Sequence, residues 1–162
     1  MSFSASRANE AHQHFSSNCF NLCWNVIEQT DPSEADNEQM LMLAYTSAWH
    51  WTQRSDKEPR HLSIAYWQLS RVHAMLNQGQ MALYFAQRCI AVSQEADLDD
   101  FCKGYAHEAM ARAMVTESEI FPPAPEAIQE HIDAARSHAE KTDDPDDRHL
   151  LVSDLDQLAT LV

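Results

Sequence analysis

The chain of 162 residues contains only two glycines, Gly79 and Gly104. Two-residue hairpin turns draw heavily on glycine, so this scarcity argues against a sheet. No segment alternates apolar and polar residues over strand lengths between turn signals, which points the same way. No uninterrupted apolar run approaches the ~18 residues a membrane-spanning helix needs. The opening stretch, MSFSASRANEAHQHF, lacks the apolar run of a secretory signal. Positive charge is also scarce: 11 Lys and Arg stand against 25 Asp and Glu, a net charge of −14. Nucleic acids and anionic membranes both call for clustered basic residues, so neither is an expected partner.

Chemistry-bearing motifs are equally sparse. There is no glycine-rich phosphate loop, no Gly-x-Ser-x-Gly and no nucleophile–base set. The nine histidines include no pair four apart and no His-Glu-x-x-His, so no metal site is expected. The acidic run Asp143–Asp147 lacks the glycine and spaced ligands of a calcium loop, and no cofactor is implied. The four cysteines have no finger-like spacing. They read as reduced thiols of a cytoplasmic protein, with Cys19 and Cys23 as small core residues.

What the chain has is helical periodicity. A hydrophobic content of 44% and this length fit one globular domain over 1–162. About seven helices are expected. The first runs from Arg7 to Gln29, with Phe15, Cys19, Leu22, Cys23, Val26 and Ile27 as its apolar face, and stops before Asp31-Pro32. Ser33 is a natural N-cap for a second helix reaching Arg54. After a charged connection with Pro59, a third helix buries Leu62, Ala65, Tyr66, Leu69, Val72, His73 and Leu76. Gly79 is expected to end it in a left-handed conformation. A fourth follows on Ala82, Phe85, Ala86, Cys89 and Ile90, and a fifth on Phe101, Tyr105, Ala109 and Ala113. Beyond Pro122, Pro123 and Pro125, a sixth places Ala127, His131, Ala134 and His138 on one face. A last helix carries Leu151, Leu155, Leu158 and Val162 and should cap the stack.

The stretch from Ser63 to Ala96 carries a recognisable pattern. Tyr66, Leu69, Ser70 and His73 mark one helix; Gly79 follows; then Ala82, Ala86 and Cys89 mark a second. Large residues on the first helix and small ones on the second allow close antiparallel packing. This pattern resembles the tetratricopeptide-repeat superfamily, and AYWQLSRVHAML and GYAHEAMARA are similar to segments of uncharacterised bacterial helical-repeat proteins. The repeat is irregular: Tyr66 aligned on Tyr105 gives a spacing of 39 (105 − 66), and Ala82 on Ala127 gives 45 (127 − 82).

The resemblance implies an all-α, right-handed stack of antiparallel hairpins whose concave surface is lined by the first helix of each pair. It places Trp67, Arg71 and Met75 on that surface from the third helix. Lys103, Met110 and Met114 would face it from the fifth. The subgroup that grips a peptide carboxylate uses Lys and Asn there, whereas this chain has Trp67 and Arg71. A groove with methionines and a tryptophan suits an apolar peptide or helix instead. Truncating Trp67 should then weaken binding and leave the fold intact.

Two further clusters stand out. Glu108 and Arg112 are four apart with the acid N-terminal, the favourable order for a helical ion pair, and occupy sites where the superfamily places apolar residues. With His73 they would form one polar cluster, read either as a tie between helices or as a ligand anchor with acid/base potential. Tyr45, Trp49, His50 and Trp51 are too dense to be buried against one neighbour. An exposed ring there would suit a homodimer contact; internal packing is the other reading. The expected function is thus a protein- or peptide-binding module. The alternative is a small-molecule-binding or catalytic protein using His73, Glu108 and Arg112.

Overall fold

A computed structural model of the protein describes residues 4–117 and 125–161. Among them are seven α-helices and no strand. In order these are α1 (Ala5–Ile27), α2 (Glu34–Gln53), α3 (Pro59–Met75), α4 (Gly79–Glu95), α5 (Asp100–Glu117), α6 (Pro125–Lys141) and α7 (Pro145–Ala159). Local chemistry sets most of the borders. Ser33 caps α2 in a capping box: its hydroxyl accepts from the Asp36 N–H, and the Asp36 carboxylate accepts from the Ser33 N–H. Pro59 and Pro145 open α3 and α7, where a missing N–H leaves nothing unsatisfied. Asp144 caps α7 by accepting from the N–H groups of Asp146 and Asp147. The loop at Pro122 and Pro123 lies outside the described residues, as does Val162; Pro125 is the first residue of α6.

Gly79 does not do what the sequence suggests. The left-handed residue after α3 is Asn77, at φ 54°, and Asp97 does the same after α4 at φ 46°. Both close Schellman motifs: the Gln78 N–H donates to the His73 carbonyl and the Asn77 N–H to that of Ala74, with Leu98, Ser93, Asp97 and Gln94 repeating the pattern. Asn and Asp tolerate this conformation better than other non-glycine residues. Gly79 is instead the first residue of α4, packed against α5. A Cβ there would lie 2.7 Å from the Glu117 Cα and 2.8 Å from its N, so glycine serves a close approach of two backbones.

The helices pack as antiparallel hairpins, α1 with α2, α3 with α4 and α5 with α6, and neighbouring hairpins stack through α2–α3, α3–α5 and α4–α5 contacts. Antiparallel pairing brings Ser63 near the start of α3 to Ser93 near the end of α4, where the hydroxyls bond at 2.8 Å. One apolar cluster joins the first two hairpins through Cys23, Met40, Ala44, Leu69, Val72 and Phe85. A second, built on Ala82, Ala86, Ala106, Ala109 and Ala113, joins the last two. Ala82 and Ala86 are fully buried, so small side chains do set this helix contact. Helix α7 closes the stack with Leu151, Leu155 and Leu158, all fully buried. Each contributes about 1.5–3 kcal/mol by leaving water.

Two faces differ from expectation. Phe15 and Leu22 on α1 are more than 40% exposed, while Cys19, Cys23, Val26 and Ile27 are buried. On α6 the buried stripe is Ile128, Ile132, Ala135 and Ala139; Ala127, His131, Ala134 and His138 lie one position away and are only half-buried. The four cysteines are free and buried. No described helix is long and apolar enough to cross a membrane.

Candidate functional site

The alternate helices α1, α3, α5 and α7 surround a cleft of about 490 Å³. Helix α1 contributes Phe20, Trp24 and Glu28, spaced by four and so aligned along one side. Helix α3 contributes Ser63, Ile64 and Trp67, and α5 contributes Phe101, Cys102 and Tyr105. Opposite them α7 places Leu150, Ser153 and Asp154, and Cys89 of α4 closes the bottom.

Five rings run along the wall in an unbroken series. Phe20 meets Trp24 edge-on at 6.4 Å, and Trp24 stacks on Trp67 at 5.5 Å. Trp67 meets Tyr105 at 4.9 Å, and Tyr105 meets Phe101 at 5.0 Å, both edge-to-face. These are favourable aromatic geometries, and they hold the wall in one shape.

Behind this wall lies a charged network. Glu108 is fully buried. Its Oε2 accepts from the Trp67 indole N–H at 3.0 Å, and its Oε1 from the Arg112 Nε–H at 2.6 Å. Arg71 reaches the same carboxylate more loosely, at 3.4 Å, and Asp154 at 3.5 Å. The Arg71 Nε is buried without a hydrogen-bond partner among the described residues. Burial, reinforced by neighbouring Arg112, pulls the Arg71 guanidinium below its ordinary pKa. Asp154 accepts from the Tyr105 hydroxyl at 3.0 Å. Burial first, and then Glu108, push its carboxyl above the usual range. Burial and the adjacent Asp154 raise the Tyr105 phenol.

The structure brings together some of the expected residues and separates others. Glu108 and Arg112 form the anticipated ion pair. His73 is not part of it. Two residues beyond Arg71, it is turned about 200° around the helix and points toward α2 and α4. There its ring stacks on Phe85 and bonds the Tyr45 hydroxyl at 3.0 Å and Gln78 Oε1 at 2.6 Å. Trp67 does line the cleft, but at 8% exposure and tied to Glu108 it is a structural wall, not a free anchor. Arg71 lies behind the wall. Met75 is 39% exposed and is not among the cleft residues. Lys103 pairs with Asp97 at 2.5 Å, Met110 is buried in the core, and Met114 packs half-buried against it. In the aromatic patch of α2, Trp49 is 55% exposed, while Trp51 stacks on His61 at 4.3 Å.

One misplaced register accounts for the α5 residues among them. Cleft residues of α3 and α5 pair at a spacing of 38: Ser63 with Phe101, Ile64 with Cys102, Trp67 with Tyr105. Aligning Tyr66 on Tyr105 adds one residue, a rotation of about 100°. That rotation turned Tyr105 out of the groove and brought Lys103, Met110 and Met114 into it. Phe20, Trp24 and Glu28 were detectable as a second stripe on α1, whereas nothing in the local sequence marked Leu150 or Asp154. No protein-family model, curated protein or solved structure matches this chain.

Proposed function

We propose that the chain is a protein- or peptide-binding module of tetratricopeptide-like design that takes a segment of its partner into the cleft between α1, α3, α5 and α7. The observation that carries this reading is the convergence of five aromatic rings from three alternate helices onto one open recess, closed on the far side by α7. Rigid rings offer large contact area at low entropic cost, and clustered aromatics form the energetic centre of interfaces. The recess also falls within the ~300–1,000 Å³ span of small-ligand sites, which favours a small organic molecule as the second reading. Acid/base catalysis by Glu108 has less support, because both of its oxygens are engaged behind the wall.

Leu150 provides the test. It lines the cleft and is 55% exposed, so Leu150→Trp should fill the recess without disturbing the core. Met42→Trp, at a site 61% exposed on α2, is the control. Peptides selected on the purified chain should bind the control as well as wild type and lose at least about tenfold on Leu150→Trp, the loss of a central anchor. Equal binding to both variants would place the interaction elsewhere.

A further inference from the structure

The cleft has a marked charge character. The side chains lining it include two carboxylates, Glu28 at the mouth and Asp154 within, and no Lys or Arg. The charged groups behind the wall are Glu108, Arg71 and Arg112. Together these make three acids against two guanidiniums, one negative charge in excess. Arg60 lies over the outer face of Phe101 but is paired with Asp99. Glu28 is the C-cap residue of α1, and the last turn of α1 has no basic side chain, so the negative end of that helix dipole is uncompensated at the mouth. Among the described residues Asp154 has one close side-chain partner, the Tyr105 hydroxyl at 3.0 Å, with Arg71 farther off at 3.5 Å. Burial and neighbouring Glu108 raise its pKa, against the opposing pull of Arg71, the Tyr105 hydroxyl and Arg112. The rings of Trp24, Trp67 and Tyr105 line the same recess, and a cation that reaches the face of such a ring is attracted to it.

We infer that the segment the cleft accepts is basic: a lysine or arginine side chain inserts between the tryptophan–tyrosine wall and α7, its stem against Ile64 and Leu150 and its charge toward Asp154 and Glu28. This rests on the peptide-binding reading above and specifies its chemistry. The long apolar stem of such a side chain matches the apolar walls, and its charged end matches the two carboxylates. A net charge of −14 would speed the encounter with a basic partner and make it salt-sensitive.

The experiment is a short-peptide array probed with the full chain at low and high salt. The best binders are then remeasured with the basic residue replaced by norleucine or citrulline. The expected result is a fixed Lys or Arg in the selected peptides and a loss of about tenfold on neutral replacement. Glu28→Gln should weaken binding up to about fivefold, as expected for a charge at an exposed rim. Glu140→Gln, an exposed acid on α6, should change nothing. Circular dichroism of each variant separates lost binding from lost fold. Peptides that bind equally well with norleucine would overturn the cationic inference while leaving the peptide-binding reading standing. If no peptide is selected but benzyltrimethylammonium quenches tryptophan emission in wild type and not in Leu150→Trp, the site takes a free organic cation, and both the basic-segment proposal and the peptide reading fall. Binding of neither probe sinks both as well.

Discussion

His107 and Glu108 are neighbours in α5, yet they show opposite ways of keeping an ionisable group inside a protein. Glu108 faces the cleft wall and is surrounded by donors: the Trp67 indole, Arg112 and, more loosely, Arg71. His107 faces α6, where its Nδ1 lies 2.9 Å from that of His131 and its ring stacks on His138 at 5.8 Å. Neither neighbouring ring offers a negative charge to balance a proton on it. Burial, with His131 and His138 beside it, pulls its pKa down to about 4. The α3–α5 wall is therefore held by paired charge, whereas in the α5–α6 seam His107 is kept neutral, even though His138 beside it bonds the Asp100 carboxylate at 2.6 Å. The first should be sensitive to losing a partner, the second to gaining a proton.

Removing Glu108 should break the wall most severely. Glu108→Ala leaves Arg71 and Arg112 facing each other without their shared carboxylate. Loss of one side of a buried ion pair costs about 3–5 kcal/mol, to be read as a lowered urea midpoint with unchanged m-value. A shift below about 1 kcal/mol would show that the network is solvated and that Glu108 is not its centre. Trp67→Phe is the finer cut. It keeps a ring between Trp24 and Tyr105 but removes the indole donor to Glu108, for an expected loss of about 1–3 kcal/mol. Combined with Glu108→Ala, the two effects should be non-additive, because both remove the hydrogen bond from the indole to position 108.

The contrast also explains what could be read in the sequence. Some helix borders were legible because they depend on near neighbours: Ser33 caps α2 with Asp36, and the acidic run Asp143–Asp147 leads into α7 with Asp144 as its cap, whereas Pro59, expected in a connection, opens α3. The pairing of Glu108 with Arg112 was legible for the same reason. Which side each helix turns to its neighbours was not, because it depends on the length of the connections between hairpins. Residues 82, 86, 89 and 93 of α4 correspond in burial to 128, 132, 135 and 139 of α6, a spacing of 46, whereas aligning Ala82 on Ala127 gives 45. As between α3 and α5, an error of one residue moved a whole stripe off its face. Asp154 could not be placed from local pattern at all, since it reaches Tyr105 and Arg71 from 49 and 83 positions away.

Acid should act on the seam before the wall. His107, His131, His50 and His73 all have pKa values below the ordinary histidine value, chiefly through burial. As pH falls through about 6.5, the unfolded chain takes up protons that the folded chain refuses. Stability therefore declines from there toward pH 4, where His107 begins to protonate in the fold. Asp154 has the opposite sign. Its raised pKa lets the folded state bind a proton first, so it contributes stability as pH falls through that raised value. Urea midpoints measured from pH 7 to pH 4 should fall overall, since several histidines oppose one carboxylate. A flat profile would mean that the histidines titrate freely in the fold.

The smallest effect isolates the seam. His107→Phe keeps a ring against His138 and removes the titrating group. At pH 7 the wild-type imidazole is already neutral, so the substitution exchanges one weak hydrogen bond to His131 for apolar contact, a change of about 1 kcal/mol or less in either direction. Near pH 5 the two proteins should diverge, because the wild-type unfolded state gains a proton at position 107 and the variant has none to gain. The variant's profile should therefore be shallower between about pH 6.5 and 4, with the offset between the two returning to its pH 7 value as pH rises. Parallel profiles would show that His107 is not held neutral by its surroundings. The seam would then differ from the wall only in composition and not in how it carries charge.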